Sequence, residues 1–230
     1  MIFHKGQPQD MGKVMMISDL SDFFQLFTHS LRICAIIRPD HKKERGQFMR
    51  GKSHRCLGQY LTDHYMSDAP KRHIRAFLIG CIEPDRNPAT YLKGSLHFQW
   101  LRGHNYRNAR RFMRRISQRL EQKDALNLYD YYTLGKLIHY TTDAFTFAHN
   151  DTFPTNLSDH REYEAQLQNH FLEYMQQDPQ VNPRVAKTVM EAIYSYHRDY
   201  EAVESNIHTD SWFALTACCC VLAAVFAKPI

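Results

Sequence analysis

Apolar residues along this chain recur at intervals of three and four far more often than they alternate, which predicts helices and few strands. In "YYTLGKLIHYTTDAF", Leu134, Leu137, Ile138 and Thr141 share one face. In "NARRFMRRISQRL", Phe112, Ile116 and Leu120 form an i, i+4 line, while Arg107, Arg110, Arg111, Arg114, Arg115 and Arg119 occupy much of the remainder. Over residues 184–200, Val185, Val189, Ala192, Ile193 and Tyr196 make a further helical stripe. Pro70, Pro84, Pro88, Pro154, Pro179 and Pro183 punctuate these segments. The pattern predicts an all-α, single-domain bundle of about seven to nine helices. Residues 212–227, "WFALTACCCVLAAVFA", carry no charge, but 16 residues fall short of the ~20 a spanning helix needs. They read as a buried core helix rather than a transmembrane segment.

A composition shift marks a boundary. Residues 39–53, "PDHKKERGQFMRGKS", are polar and basic and read as a linker. The expectation is a domain over 49–230 preceded by an appendage, 1–48, of unknown role. A chain of 230 residues with 43% hydrophobic and 23% charged residues can bury one full core. Its net charge of +5 favours anionic partners without requiring them. Three of the six cysteines, Cys218, Cys219 and Cys220, are consecutive and cannot bridge one another without strain. Cys34, Cys56 and Cys81 stand alone, and the N-terminus lacks the pattern of a signal peptide. Together these point to a reducing, cytoplasmic location.

Fourteen histidines are many for this length, and several sit beside carboxylates. His139 and Asp143 are i, i+4 on a predicted helix, so both side chains leave the same face. Asp143 has two oxygens and can bridge two metal ions. His149 lies six residues on, where the chain can turn back. "SDHREYE" repeats the logic with His160 and Glu164, and Asp159 with Glu162 resembles a capping box at that helix start. Asp85 follows Pro84 in a predicted loop, and His97 stands in "GSLHFQW". Taken singly, each element reads most simply as a surface ion pair, a turn residue or a half-buried histidine. Their order and spacing in one chain change that balance.

In that order and spacing, Asp85, His97, "LGKLIHYTTDAFTFAH" and "HREYE" resemble the zinc-dependent phospholipase C family, which shares its fold with the S1/P1 nucleases. The resemblance covers about residues 52–225. It implies a multinuclear zinc site in a cleft, with one zinc held by Asp85, His97, His139 and Asp143. A second would be held by His149, His160 and Glu164, and a third, bridged by Asp143, would involve His54. The total is two or three Zn²⁺ ions, which nitrogen and carboxylate ligands suit. In secreted members an N-terminal tryptophan completes the third site; here the only tryptophans are Trp100 and Trp212. His64 and His73 are the candidate substitute donors for that site. The implied chemistry is a metal-activated water attacking the phosphorus of a phospholipid headgroup ester, with Asp85 as general base. An S1/P1-type nuclease acting on nucleic acid is the alternative substrate class. A non-catalytic zinc-binding protein of the same fold is the alternative outside enzymology.

Overall fold

The computed structural model describes residues 50–87, 89–90, 104–150 and 157–226, all within one compact unit, Gly46–Ile230. The expected appendage 1–48 and His97 lie outside the described residues. Among the described residues are seven α-helices and no strand: α1 (Arg50–Tyr65), α2 (Lys71–Arg86), α3 (Tyr106–Glu121), α4 (Leu128–Ala144), followed by the 3-10 turn Phe147–His149, α5 (Leu157–Gln176), α6 (Val189–Glu201) and α7 (Ile207–Phe226). The all-α expectation holds.

Helix α4 is the axis of the bundle. It starts on a capping box, in which Asn127 accepts from the Asp130 N–H and the Asp130 carboxylate accepts from the Asn127 N–H. Lys123 and Arg119 neutralise that buried carboxylate from the loop and from α3. From Thr133 to Ala144 every side chain of α4 except Lys136 is buried. It packs against α2, α3 and α7. Helix α7 is 20 residues long and by length and composition could cross a membrane, yet 72% of its apolar window is buried within the fold. Cys218, Cys219 and Cys220 lie in that buried face, at no more than 1% exposure. Most of this segment therefore lies within the core of the fold.

Two helix boundaries differ from the sequence expectation. Residues 50–53, read as the end of a linker, begin α1. The stripe over 184–200 becomes helical only at Val189, and Val185 is fully exposed. The cause is a local competitor: Thr188 accepts from the Glu191 N–H while Glu191 accepts from the Lys187 N–H, a reciprocal cap that pins the start there.

The contact that positions the site is between α2 and α4. They pack backbone against backbone at Gly80 and Gly135. A Cβ on Gly80 would sit 2.1 Å from the Tyr132 carbonyl oxygen, and one on Gly135 2.1 Å from that of Phe77. Only residues without a side chain permit this approach. From the crossing both helices run the same way, bringing Asp85 beside His139 and Asp143.

Candidate metal centre

Asp143 is the centre of the arrangement, and its two oxygens face different groups. Oδ2 lies 3.0 Å from His104 Nδ1 and 3.2 Å from His139 Nε2. Oδ1 lies 3.3 Å from His54 Nε2 and 3.9 Å from His149 Nε2. His54, on α1, stacks on His139 with ring centroids 4.0 Å apart. Asp85 reaches the same point from α2: Oδ1 is 3.7 Å from both His104 Nδ1 and His139 Nε2, and Oδ2 is 4.0 Å from His54 Nε2. A second group adjoins, with Glu164 Oε1 3.2 Å from His149 Nε2 and Glu164 Oε2 3.5 Å from His160 Nδ1.

These residues fit bound metal on three counts. First, ligands ~2.0–2.2 Å from a shared ion stand ~3–4 Å from one another, the range observed here. Second, both oxygens of Asp85 and Nδ1 of His54 are buried without a hydrogen-bond partner, a costly state for a carboxylate unless a cation is supplied. Third, the outer contacts of the histidines set their tautomers. His139 Nδ1 donates to the Cys81 carbonyl at 2.9 Å. Thr90 Oγ1 donates to the Pro84 carbonyl and so receives the proton of His104 Nε2, at 3.1 Å. That leaves His104 Nδ1 and His139 Nε2 facing each other as bare lone pairs 3.2 Å apart, beside two carboxylates. Such a cluster requires a proton or a metal ion between its members. Fixing the ring through its outer nitrogen is how metal-binding histidines are oriented.

The charges reflect this crowding. Where protons rather than metal fill the cluster, burial opposes ionisation of Asp143, but His139 and His149 together with hydrogen bonds from the protonated His104 and His139 hold its carboxyl well below the usual range. Burial pulls His139 down, yet Asp143 and Asp85 more than reverse it, so its net shift is upward. For His104 burial wins over Asp143 and the ring is held below its ordinary value.

Asp210 on α7 braces the second group. It is fully buried and accepts from the Phe147 N–H at 2.7 Å, the Tyr163 hydroxyl at 2.8 Å and the Tyr200 hydroxyl at 2.7 Å. It thereby ties the 3-10 turn carrying His149 to α5, which carries His160 and Glu164. Burial pushes its carboxyl up to about 6 despite those three donors.

Of the expected donors, His54, Asp85, His139, Asp143, His149, His160 and Glu164 converge on this one region. Asp85 is not in a loop: it occupies the last turn of α2, one residue after Pro84. The helix carrying His160 begins at Leu157, before the expected Asp159 cap. His64 bonds the Tyr60 carbonyl and His73 stacks on Tyr131, so neither joins the centre. The residue that sequence reasoning missed is His104. It precedes the Asn105 cap of α3 and carries no spacing motif; only its approach to Asp143 identifies it.

Four of these residues line a cleft that opens to solvent. His54, Asp143, His149 and Glu164 form one wall, and Leu167, Phe171 and Ala214 form an apolar one. No curated protein and no solved structure matches the chain. The family model described as zinc dependent phospholipase C matches residues 53–227. With that match spanning most of the 230 residues and covering every donor in the cleft, the chain belongs to the zinc dependent phospholipase C family.

Proposed function

We propose that the protein is a zinc-dependent phosphodiester hydrolase that cleaves the headgroup ester of a phospholipid. The observation that carries the reading is the pairing, in one cleft, of a polynuclear donor set around Asp143 with an apolar wall. Asp85, His104, His139 and Asp143 would hold one zinc ion. His149, His160 and Glu164 would hold a second, and His54 with Asp143 offers a third position. Bound zinc supplies Lewis acidity that polarises phosphoryl oxygens and acidifies water.

The protein's own groups do the rest. Asp143, with its oxygens turned to separate donor groups, keeps those groups within one phosphate's width. Asp85, buried and without a hydrogen bond, accepts the proton released by the attacking water. Leu167, Phe171 and Ala214 receive the apolar end of the substrate and keep bulk water from it. The cytoplasmic location belongs to the same proposal; Cys56, Cys81, Cys218, Cys219 and Cys220 are all unpaired.

The test is a side-by-side assay of zinc-loaded protein on phosphatidylcholine, single-stranded DNA and bis(p-nitrophenyl) phosphate. Release of the phosphorylated headgroup from phosphatidylcholine is expected. Cleavage of DNA alone would replace the lipid reading with the nuclease one. No turnover of any substrate with zinc bound would support a non-catalytic zinc protein.

A further inference from the structure

Outside the cleft, the most unusual surface is one side of α3. Arg107, Arg110, Arg111, Arg114, Arg115 and Arg119 are all exposed. At ~100° and ~1.5 Å per residue they fall within an arc of about 180° along about 18 Å of helix. Ala109, Met113, Ile116 and Leu120 fill the opposite side and are buried in the core. Arg114 donates to the Tyr194 hydroxyl and Arg119 pairs with Asp130. Among the described residues no carboxylate pairs with Arg107, Arg110, Arg111 or Arg115. Like charges three and four apart repel, and the first turn of α3 holds no acidic residue although the helix dipole favours one there. The arrangement works against the helix unless an outside anion relieves it.

We propose that this face docks the protein on an anionic phospholipid surface; the choice of that occupant rests on the phospholipid reading of the cleft. The face begins three residues beyond His104, so the chain runs directly from the candidate metal centre into it. Attachment is peripheral and electrostatic, because the apolar side of α3 is already committed to the core. A single-stranded nucleic acid fits the face less well. Base binding on a basic surface needs free aromatic rings, whereas Tyr106 is stacked on His197 at 3.7 Å and Phe112 packs edge-on against Tyr140 at 5.3 Å.

The experiment compares full-length wild type with the Arg110→Gln, Arg111→Gln, Arg115→Gln triple variant. Binding is measured by co-sedimentation with phosphatidylcholine vesicles, pure or with about one-third phosphatidylserine. Turnover of bis(p-nitrophenyl) phosphate is measured in parallel. Wild type should prefer the anionic vesicles and lose that preference as salt is raised. An arginine near an anionic surface contributes about fivefold, so the variant should bind about a hundredfold more weakly. Its turnover of the soluble diester should be unchanged, and its melting temperature should not fall, because loss of like-charge repulsion along α3 favours the helix. Equal vesicle binding by the two proteins would overturn the proposal. So would arginine-dependent binding of single-stranded DNA with no preference for anionic vesicles. Arginine-dependent vesicle binding without any diester turnover would leave the docking surface standing and remove only the hydrolase reading.

Discussion

The crossing of α2 and α4 is where fold and site can be tested together, by Gly135→Ala. The added methyl would lie 2.1 Å from the Phe77 carbonyl oxygen, where ordinary contact begins at 3.4 Å. The helices must therefore part by about 3.4 − 2.1 = 1.3 Å or bend locally. The obstructing atoms are backbone, including Cys81 N at 2.9 Å, and cannot rotate aside as a side chain would. Overpacking of this kind costs roughly 1–3 kcal/mol or more. Against it stands a gain of about 1 kcal/mol from the better helix propensity of alanine. With a rigid obstruction the upper range applies, giving a net loss of about 2 kcal/mol. At about 2–4 °C per kcal/mol, the metal-free protein should melt about 4–8 °C lower.

The same displacement acts on metal. Asp85 Oδ1 and His139 Nε2 are 3.7 Å apart, and two ligands of one ion at ~2.1 Å each can be at most ~4.2 Å apart. Parting α2 from α4 by over an ångström exceeds that tolerance, so zinc affinity of the first group should fall. Thermal unfolding in chelator and zinc titration by competition would read the two effects separately. Gly51→Ala, with nothing within 4 Å of the new methyl, is the steric control and should not lower the melting temperature. Gly58→Ala meets only the side chains of Leu78 and Cys81, at 3.1 and 3.2 Å, and should cost less. A Gly135→Ala protein that melts within about 2 °C of wild type and binds zinc equally would refute the close-packing argument.

Four further outcomes are expected. His104→Ala should release the first-group zinc; elemental analysis showing that His97→Ala releases it instead would reject the assignment of His104. His160→Ala should remove the second ion while the first stays bound, and an unchanged zinc count would break the two-group division. In metal-free protein, Asp210 has a carboxyl raised to about 6 by burial, so the folded state holds its proton longer than the unfolded state does. Its contribution to stability therefore declines as pH rises from about 4 to 6, and Asp210→Asn should remove that slope. Melting curves with parallel pH profiles for the two proteins would contradict this. Thiol titration of denatured, unreduced protein should find all six cysteines free, and fewer than about four would favour an oxidising compartment.

Much of the site is written in local spacing. His139 with Asp143 and His160 with Glu164 were legible because an i, i+4 pair shares a face in any α-helix, whatever surrounds it. The caps at Asn127 and Thr188 are likewise local, though the second was hidden by an apolar stripe that continued past it to Val185. The all-α class followed from the same periodicity. What the chain alone left undecided depends on atoms distant in sequence. Asp85, 58 residues from Asp143, is expected only through the family resemblance, and His104, 39 residues away, not at all; nothing in their own neighbourhoods distinguishes them from a turn residue and a capping-region histidine. They come to stand beside Asp143 because two side-chain-free positions let α2 lie against α4, and because Thr90 and the Cys81 carbonyl turn two rings inward. That the two oxygens of Asp143 address separate groups is also a result of packing. A sequence specifies that a carboxylate has two oxygens; only the neighbours brought by α1, α2, α3 and the 3-10 turn decide where each one points.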